Sequence, residues 1–218
     1  LLGNPDLPRV SIVSFGIRHP LEARPLGMLH PNFVVALLGD LFGIQARSGC
    51  FCAGPYVHRL VGFDREVSAA HEAEVLRGQT GIKLGYVRLS FNYFLTETAF
   101  RYLVDAVRFV AEHGWKLLPL YRFDPASGLW SHRDGARRPA VTLAGLPYAA
   151  GELRGFAPRR HAPESVLPGY LEEARRIVRA VEASPPASDP EAPRLTPESE
   201  RLRWFPLPED ALARLRSG

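Results

Sequence analysis

Two thiols and an arginine lie close together in the stretch 47–55, which reads RSGCFCAGP. A cysteine is a nucleophile or a metal ligand only as the thiolate, and a neighbouring cation favours that form. Arg47 can supply the cation for Cys50 and Cys52. The glycines and the proline predict a turn between two apolar segments. The stretch therefore predicts a loop that presents a thiol, although free cysteines also serve as small buried hydrophobic residues.

A second arginine lies in the segment 86–91, YVRLSF, in which apolar and polar residues alternate. This alternation predicts a strand that turns Val87 and Leu89 to the core and Arg88 to the opposite face. A planar guanidinium group binds a carboxylate through two parallel hydrogen bonds. Arg88 is therefore a candidate for binding an anionic ligand. An ion pair at the surface or at an interface is the other use of such an arginine.

Metal binding is the rival use of the thiol loop, with Cys50, Cys52 and His58 as ligands. Zinc sites normally take four ligands from two separated pairs, whereas this set offers three ligands at an unusual spacing. We therefore predict no metal site. His30, His58 and His71 are predicted to be loop or cap residues, because no Ser, His and Asp set here has a recognisable context.

The pattern Arg47-x-Gly-x-x-Cys52-Ala-x-Pro resembles the active-cysteine loop of the cysteine desulfurase branch of the class V aminotransferases. The same loop is similar to that of molybdenum cofactor sulfurases. In this resemblance Cys52 matches the catalytic nucleophile. The segment 86–92 resembles the strand whose arginine binds the substrate carboxylate, so Arg88, together with Arg47, would bind the substrate. The likeness covers about residues 10–114.

The resemblance implies the C-terminal small domain of a fold-type I enzyme that uses pyridoxal phosphate (PLP). Such enzymes hold PLP on a lysine. Lys83 and Lys116 lack the family's sequence context. The resemblance therefore implies that the PLP-binding lysine belongs to a large domain that precedes this chain. We therefore expect PLP in the full-length enzyme but not on this chain alone, together with an amino-acid substrate and a homodimer. Residues 56–85 are longer than the corresponding link in the related desulfurases.

Composition and charge exclude several other classes. The chain has 218 residues, of which 46% are hydrophobic and 23% charged, as in ordinary globular proteins. The apolar run 33–44 is broken by Asp40 and is shorter than the ~20 residues that a membrane span requires. The net charge of +4 comes almost entirely from arginines that are scattered among acids, so we predict no nucleic-acid binding. The two cysteines predict reduced thiols and a cytoplasmic protein.

The apolar periodicity predicts an α+β fold, with a small antiparallel sheet covered by helices. The predicted strands are 10–17, 44–47 and 86–91, and the covering helices are 32–42 and 96–113. Gly43, Thr96 and Gly114 mark helix ends. A further strand at 115–123 is predicted to form a hairpin with residues 129–132.

We divide the chain into three parts. Residues 1–133 form the class V aminotransferase-like domain with its hairpin extension. Residues 134–183 form an irregular connector and an amphipathic helix that opens at Pro168, and residues 184–218 form a disordered linker with an aromatic tail. Two other functions stay open: a PLP-dependent aminotransferase or lyase that does not use the thiol, and a non-catalytic module that binds a partner.

Overall fold

The computed structural model describes the chain except residues 5, 9, 22–25, 51–52, 136–145, 147, 150, 154–161 and 218. The described part is α+β, as predicted, with helices and small antiparallel sheets. Its strands are β1 (Ile12–Phe15), β2 (Arg47–Gly49), β3 (Tyr86–Ser90), β4 (Tyr121–Phe123), β5 (Trp130–His132), β6 (Tyr148–Ala149) and β7 (Glu152–Leu153). Its α-helices are α1 (Pro31–Phe42), α2 (Gly54–Leu60), α3 (Arg65–Leu76), α4 (Glu97–His113), α5 (Leu167–Ala183), α6 (Pro197–Leu202) and α7 (Pro208–Ser217). Short 3₁₀ helices within the described residues are Thr80–Ile82, Gly114–Leu120 and Glu164–Val166.

The main sheet has the strand order β1-β3-β2, and both neighbouring pairs are antiparallel. Strand β3 agrees with its prediction, whereas β1 is shorter than predicted. Strand β2 begins at Arg47, later than the predicted 44–47. The reason is local, since the backbone N–H of Ile44 donates to Leu38 O at the end of α1 and is not available to a sheet.

The two helices that cover the sheet begin and end close to their predicted residues. Helix α1 ends at Gly43, whose φ of 65° is the left-handed conformation that glycine adopts readily. Helix α4 begins after Thr96, whose hydroxyl accepts a hydrogen bond from the backbone N–H of Ala99. The core between these helices and the sheet contains Phe33, Leu37 and Val110 among its most buried residues.

The prediction of a strand at 115–123 is wrong for most of its length. The chain leaves α4 as the 3₁₀ helix Gly114–Leu120, and only β4 remains extended. Pro119 has no N–H to donate to a sheet. Leu117 and Leu118 are both buried, and consecutive burial does not fit the alternation of a half-exposed strand. The hairpin of β4 with β5 is confirmed.

The segment after the thiol loop also differs from its prediction. Gly54-Pro55 was expected to make a turn, but Gly54 opens α2, because proline is tolerated in the first turn of a helix. Helix α3 is capped by Asp64, whose carboxylate accepts from the N–H of Val67.

Residues 184–199 are ordered by tertiary contacts, in contrast to the predicted disorder. Asp189 accepts hydrogen bonds from Arg122, and the carbonyl of Ala187 accepts one from Arg133. Helix α6 begins at Pro197. Because these partners lie far away in sequence, composition alone does not reveal them. Our division into three domains stays a prediction, and most of the connector 139–160 lies outside the described residues.

The aromatic tail is part of the core. Trp204 and Phe205 are fully buried, and both rings contact His30 at centroid distances of 5.6 and 4.6 Å. The indole N–H of Trp204 donates to the carbonyl of Ile82 at 2.9 Å. The C-terminal segment therefore closes one end of the hydrophobic core. Within the described part of the chain, no helix is both long and apolar enough to cross a membrane.

Candidate functional site

The main sheet places the two predicted binding arginines side by side. In the register of β2 with β3, Arg47 lies directly opposite Arg88, and in the register of β1 with β3, Ser14 lies opposite Arg88. Residues that are directly opposite in an antiparallel pair send their side chains to the same face, with Cβ atoms about 4.5–5.5 Å apart. The two guanidinium groups therefore start from neighbouring points on one face of the sheet.

That face is the one turned away from the covering helices. Val87 and Leu89, on either side of Arg88 in β3, are buried in the core between the sheet and helices α1 and α4. Because side chains alternate along a strand, Arg88 lies on the opposite face, where it is half-buried, and Arg47 is exposed. The two arginines therefore share one face of the sheet, and their role in binding a substrate stays a prediction.

Two close glycines fix where the thiol loop leaves the sheet. A Cβ atom on Gly85 would lie 2.8 Å from the Cα of Gly49, so the two backbones touch here. Gly49 itself has a φ of 115°, which side chains other than glycine rarely allow. Cys50 follows as a half-buried free thiol, and its carbonyl accepts from the N–H of Ala53. Cys52, the predicted nucleophile, lies outside the described residues.

Asp40 and Glu97 each have a hydrogen bond to a residue other than Arg88. Asp40 accepts from the hydroxyl of Tyr121 at 2.7 Å. Glu97 accepts from Nε of Arg101 at 2.7 Å, one helical turn along α4. Arg88 and Arg47 each interact with at least one further group, so neither is an isolated charge.

His30 is a cap residue, as predicted, rather than a base. Its Nδ1 accepts from the N–H of Asn32 at the start of α1, and its Nε2 bonds to the carbonyl of Gly81 at 3.0 Å. Burial lowers the pKa of His30 from 6.5 to about 3, against the opposing effect of the hydrogen bond to Gly81. His30 is therefore neutral in the folded protein near pH 7.

His58 of α2 and His71 of α3 form a second histidine cluster, with ring centroids 6.2 Å apart. Burial is the first cause that lowers the pKa of His71 to about 4, and the neighbouring His58 adds to it. Burial also lowers the pKa of His58, against the attraction of Glu72. His71 is buried, and its Nδ1 has no hydrogen-bond partner among the described residues. The sequence placed both residues in loops or caps, and the structure places them on helices.

The two lysines of the chain have different surroundings. Lys116 donates to Glu182 at 2.5 Å, and its side chain is only 18% exposed. Lys83 is exposed at the end of the 3₁₀ helix Thr80–Ile82. A cofactor lysine needs a free amine beside groups that bind a phosphate and a pyridine nitrogen. The expectation that this chain alone does not hold PLP stays a prediction.

A metal centre finds no geometric support in the described part of the chain. Within it, no group of three or more His, Cys, Asp or Glu side chains is placed to hold a metal ion. The alternative ligand set of Cys50, Cys52 and His58 includes a residue outside that part, so its geometry is not shown.

A polar contact between α3 and α6 was not predicted from the sequence. The buried carboxylate of Glu74 accepts from the hydroxyls of Ser199 and Thr196 at 2.7 and 3.1 Å and from Arg77 at 2.6 Å. An open cleft of about 650 Å³ lies beside it. The Thr-Pro pair at 196–197 is a sequence signal for the start of a helix. No sequence signal indicated that this helix packs against Glu74 of α3.

The loop between β3 and α4 exposes an aromatic pair. Tyr93 is 98% exposed and Phe94 is 69% exposed, and their rings lie 5.4 Å apart. An apolar groove of about 430 Å³ runs nearby, with Phe91, Leu95 and Leu103 in its walls. These residues lie at the end of the sheet where β3 leads into α4.

Comparisons with protein families, with curated proteins and with solved structures found no significant match to this chain.

Proposed function

We propose that this chain is the C-terminal small domain of a PLP-dependent enzyme of the class V aminotransferase and cysteine desulfurase type, with a fold-type I architecture. In this proposal Arg88, assisted by Arg47, binds the carboxylate of an amino-acid substrate, and Cys52 is the nucleophile. The observation that carries the proposal is the direct cross-strand pairing of Arg47 with Arg88. Arg47 lies three residues before Cys50, the first thiol of the loop.

The geometry suits recognition of a carboxylate. Arg88 projects from the middle strand of the sheet, so its position is fixed by hydrogen-bonded neighbours on both sides. A guanidinium group held in this way can donate two parallel hydrogen bonds to a carboxylate. Arg47 adds a second positive charge on the neighbouring strand, three residues before Cys50, and a nearby cation favours the thiolate form of a cysteine.

Desulfuration is the reaction that a thiol in this loop would serve. The bond from the substrate carbon to sulfur breaks, and an S–S bond to Sγ of Cys52 forms, which leaves a persulfide. The electron pair of the broken bond stays on the substrate carbon, which then takes up a proton. The cofactor would have to be held by residues other than Lys83 and Lys116, in a large domain supplied from outside this chain. The enzyme would be cytoplasmic, because the two cysteines read as reduced thiols. It would be a homodimer, as the resemblance to the family implies.

Thiol reactivity tests the proposal. Substoichiometric iodoacetamide followed by peptide mass spectrometry should alkylate Cys52 faster than Cys50, with the rate of Cys52 half-maximal at a pH below the ordinary thiol value of about 8.5. Arg47→Gln should move that pH upward, and Arg108→Gln on α4 serves as the control. Equal or reversed labelling of the two thiols counts against a desulfurase. It would favour the aminotransferase or lyase alternative, or a module without catalysis.

The cofactor part of the proposal has its own test. Mixed with PLP, this chain should show no stable absorbance of a lysine imine. Lys116 is engaged by Glu182, and Lys83 has no phosphate-binding context. Stoichiometric borohydride trapping of PLP on either lysine would contradict the proposal that another domain carries the cofactor.

A further inference from the structure

Helices α2 and α3, residues 54–76, connect the thiol loop to the rest of the chain, and we call them the α2–α3 pair. Helix α2 begins at Gly54, directly after the loop, and buries Val57. Helix α3 packs mainly on the 3₁₀ helix Thr80–Ile82 and on α6. In α3, which is described in full, the buried residues are His71 and Glu74, and both are ionisable. The docking of this pair therefore depends on the charge state of its buried side chains.

The docked position of His71 suits the neutral imidazole. The ring is buried and bonds to the backbone of Ile82, whose carbonyl also accepts from the indole N–H of Trp204. Its Nδ1 has no hydrogen-bond partner among the described residues. A proton added at that atom would be buried without an acceptor, and burying an unpaired charge is costly.

Glu74, one turn further along α3, is docked as the anion. Its carboxylate accepts from the hydroxyls of Ser199 and Thr196 on α6 and from Arg77. A protonated carboxyl group has less capacity to accept hydrogen bonds, so protonation weakens this set of contacts. The contact between α3 and α6 is therefore strongest when the carboxylate is ionised.

The charged groups that face this contact come from three helices. His58 of α2 and Arg201 of α6 both oppose a positive charge on His71. Glu72 of α3 attracts a charge on His58, and Glu198 of α6 faces the buried carboxylate. The two groups that oppose the charge lie on separate helices, so a charged His71 is relieved when the helices move apart.

We propose that the α2–α3 pair is a pH-operated lid, which is docked while His71 is neutral and Glu74 is ionised and which undocks in acid before the core unfolds. Opening separates α3 from Ile82 and α6. Helices α1 and α4 stay in place, because they pack on each other through apolar side chains whose burial does not depend on pH. Because α2 directly follows the thiol loop, opening also frees one end of that loop. The proposal does not depend on the proposed PLP chemistry, so each can fail without the other.

Both ionisable groups make acid the opening condition. Burial is the main cause that lowers the pKa of docked His71 from 6.5 to about 4, so docking loses stability as the pH falls below 6.5. The hydrogen bonds from Ser199 and Arg77 hold the pKa of Glu74 below 4.5, so its contribution is lost only at a lower pH. Between pH 7 and pH 5, His71 alone should raise the equilibrium constant for opening about 20-fold.

The test is native-state hydrogen exchange of the full chain by NMR at pH 7 and pH 5, corrected for intrinsic exchange rates, with and without low concentrations of urea. Amides of α3 should open about 20-fold more at pH 5, with little dependence on urea, because a local opening exposes little surface. Amides of α1 should exchange only through a urea-sensitive opening. His71→Gln should reduce the rise in α3 to less than about fivefold, the remainder coming from His58. His132→Gln, on β5, is the matched control and should keep the rise of wild type.

If the α3 amides of wild type depend on urea as strongly as those of α1 at both pH values, the proposal is overturned, since α3 would then open only with the whole fold. It is also overturned if the α3 amides show no rise in opening between pH 7 and pH 5, or if His71→Gln shows the same rise as wild type. The urea comparison needs no variant, so it decides the question even if His71→Gln does not fold.

Discussion

The outward face of the main sheet and the contact between α3 and α6 both bring charged side chains together, but they do so in opposite ways. At the α3–α6 contact, the buried Glu74 is surrounded by donors from Arg77, Ser199 and Thr196. On the sheet, Arg47 and Arg88 are placed side by side by the strand register. Complementary buried groups are what a stable fold requires. Arg47 and Arg88 also interact with further groups, and we propose that their face of the sheet binds a ligand.

Arg203 shows how this chain treats an arginine that serves the fold. Its side chain is buried and donates to Glu200, Asp210 and the carbonyl of Phe205. Burial lowers the pKa of Arg203, but the hydrogen bonds to Glu200 and Asp210 outweigh it and the pKa is raised. A structural arginine in this protein is therefore enclosed by identified acceptors on several sides.

The largest expected effect concerns the C-terminal end of the core. Trp204→Ala should lower the free energy of unfolding by about 3–5 kcal/mol, because it empties a fully buried indole site and removes the bond to Ile82. Urea denaturation followed by circular dichroism measures it. The matched control is Tyr93→Ala, which removes an exposed ring and should change the stability by less than about 0.5 kcal/mol. Equal effects of the two variants would show that the C-terminal segment is not part of the core.

The buried histidines predict a loss of stability in acid. The pKa values of His30 and His71 fall from 6.5 to about 3 and about 4 on folding, so the unfolded chain binds more protons as the pH falls below 6.5. Lowering the pH from 7 to 5 should therefore reduce the free energy of unfolding by about 2 kcal/mol for each histidine. Urea midpoints at the two pH values measure the slope. His71→Gln should remove the part of this pH dependence that His71 contributes. A pH dependence equal to that of wild type would contradict the burial of His71 in its neutral form.

Glu74→Gln should cost about 1–3 kcal/mol at pH 7, because an amide can no longer accept from all three donors. The hydrogen bonds from Ser199 and Arg77 hold the pKa of Glu74 below its usual 4.5. This stabilisation is thus complete above that pH and is lost as the pH falls through the folded-state value. Chemical denaturation at pH 7 and pH 3 compares the variant with wild type. Glu66→Gln, on an exposed position of α3, is the control, and equal costs for the two variants would remove the contrast with the sheet face.

The smallest expected effect is on the sheet itself. Arg47→Gln should change the free energy of unfolding by less than about 1 kcal/mol, because the side chain of Arg47 is exposed. Thermal unfolding at low and at high salt measures the difference, which should shrink as salt screens the charge interactions of Arg47. A clear loss of stability would mean that Arg47 serves the fold, as Arg203 does.

Local patterns were sufficient for the elements whose signals are local. The cap at Thr96, the stop at Gly43 and the alternation around Arg88 each depend on a few neighbouring residues, and the structure agrees with them. The face of the sheet on which Arg88 lies followed from that alternation, whereas the predicted position of β2 was displaced.

What the sequence did not reveal depends on contacts between distant residues. The segment 184–199 is rich in proline, and its composition predicts disorder. Arg122 and Arg133, in and next to the β4–β5 hairpin, nevertheless donate hydrogen bonds to it. The buried acceptor Glu74 likewise looks like an ordinary helix glutamate until α6 packs on it. The strand predicted at 115–123 failed because apolar content alone does not distinguish a buried 3₁₀ segment from a strand.

The most direct test of the central claim is whether Arg88 binds a carboxylate. NMR titration of this chain with L-alanine should shift the Nε–H signal of Arg88, and L-alaninamide, which lacks the carboxylate, should not. Arg88→Lys should keep the charge, lose the two parallel hydrogen bonds and weaken L-alanine binding about tenfold, with Arg108→Lys unchanged. An equal response to L-alaninamide, or an Arg88→Lys variant that binds L-alanine as wild type does, would contradict the claim.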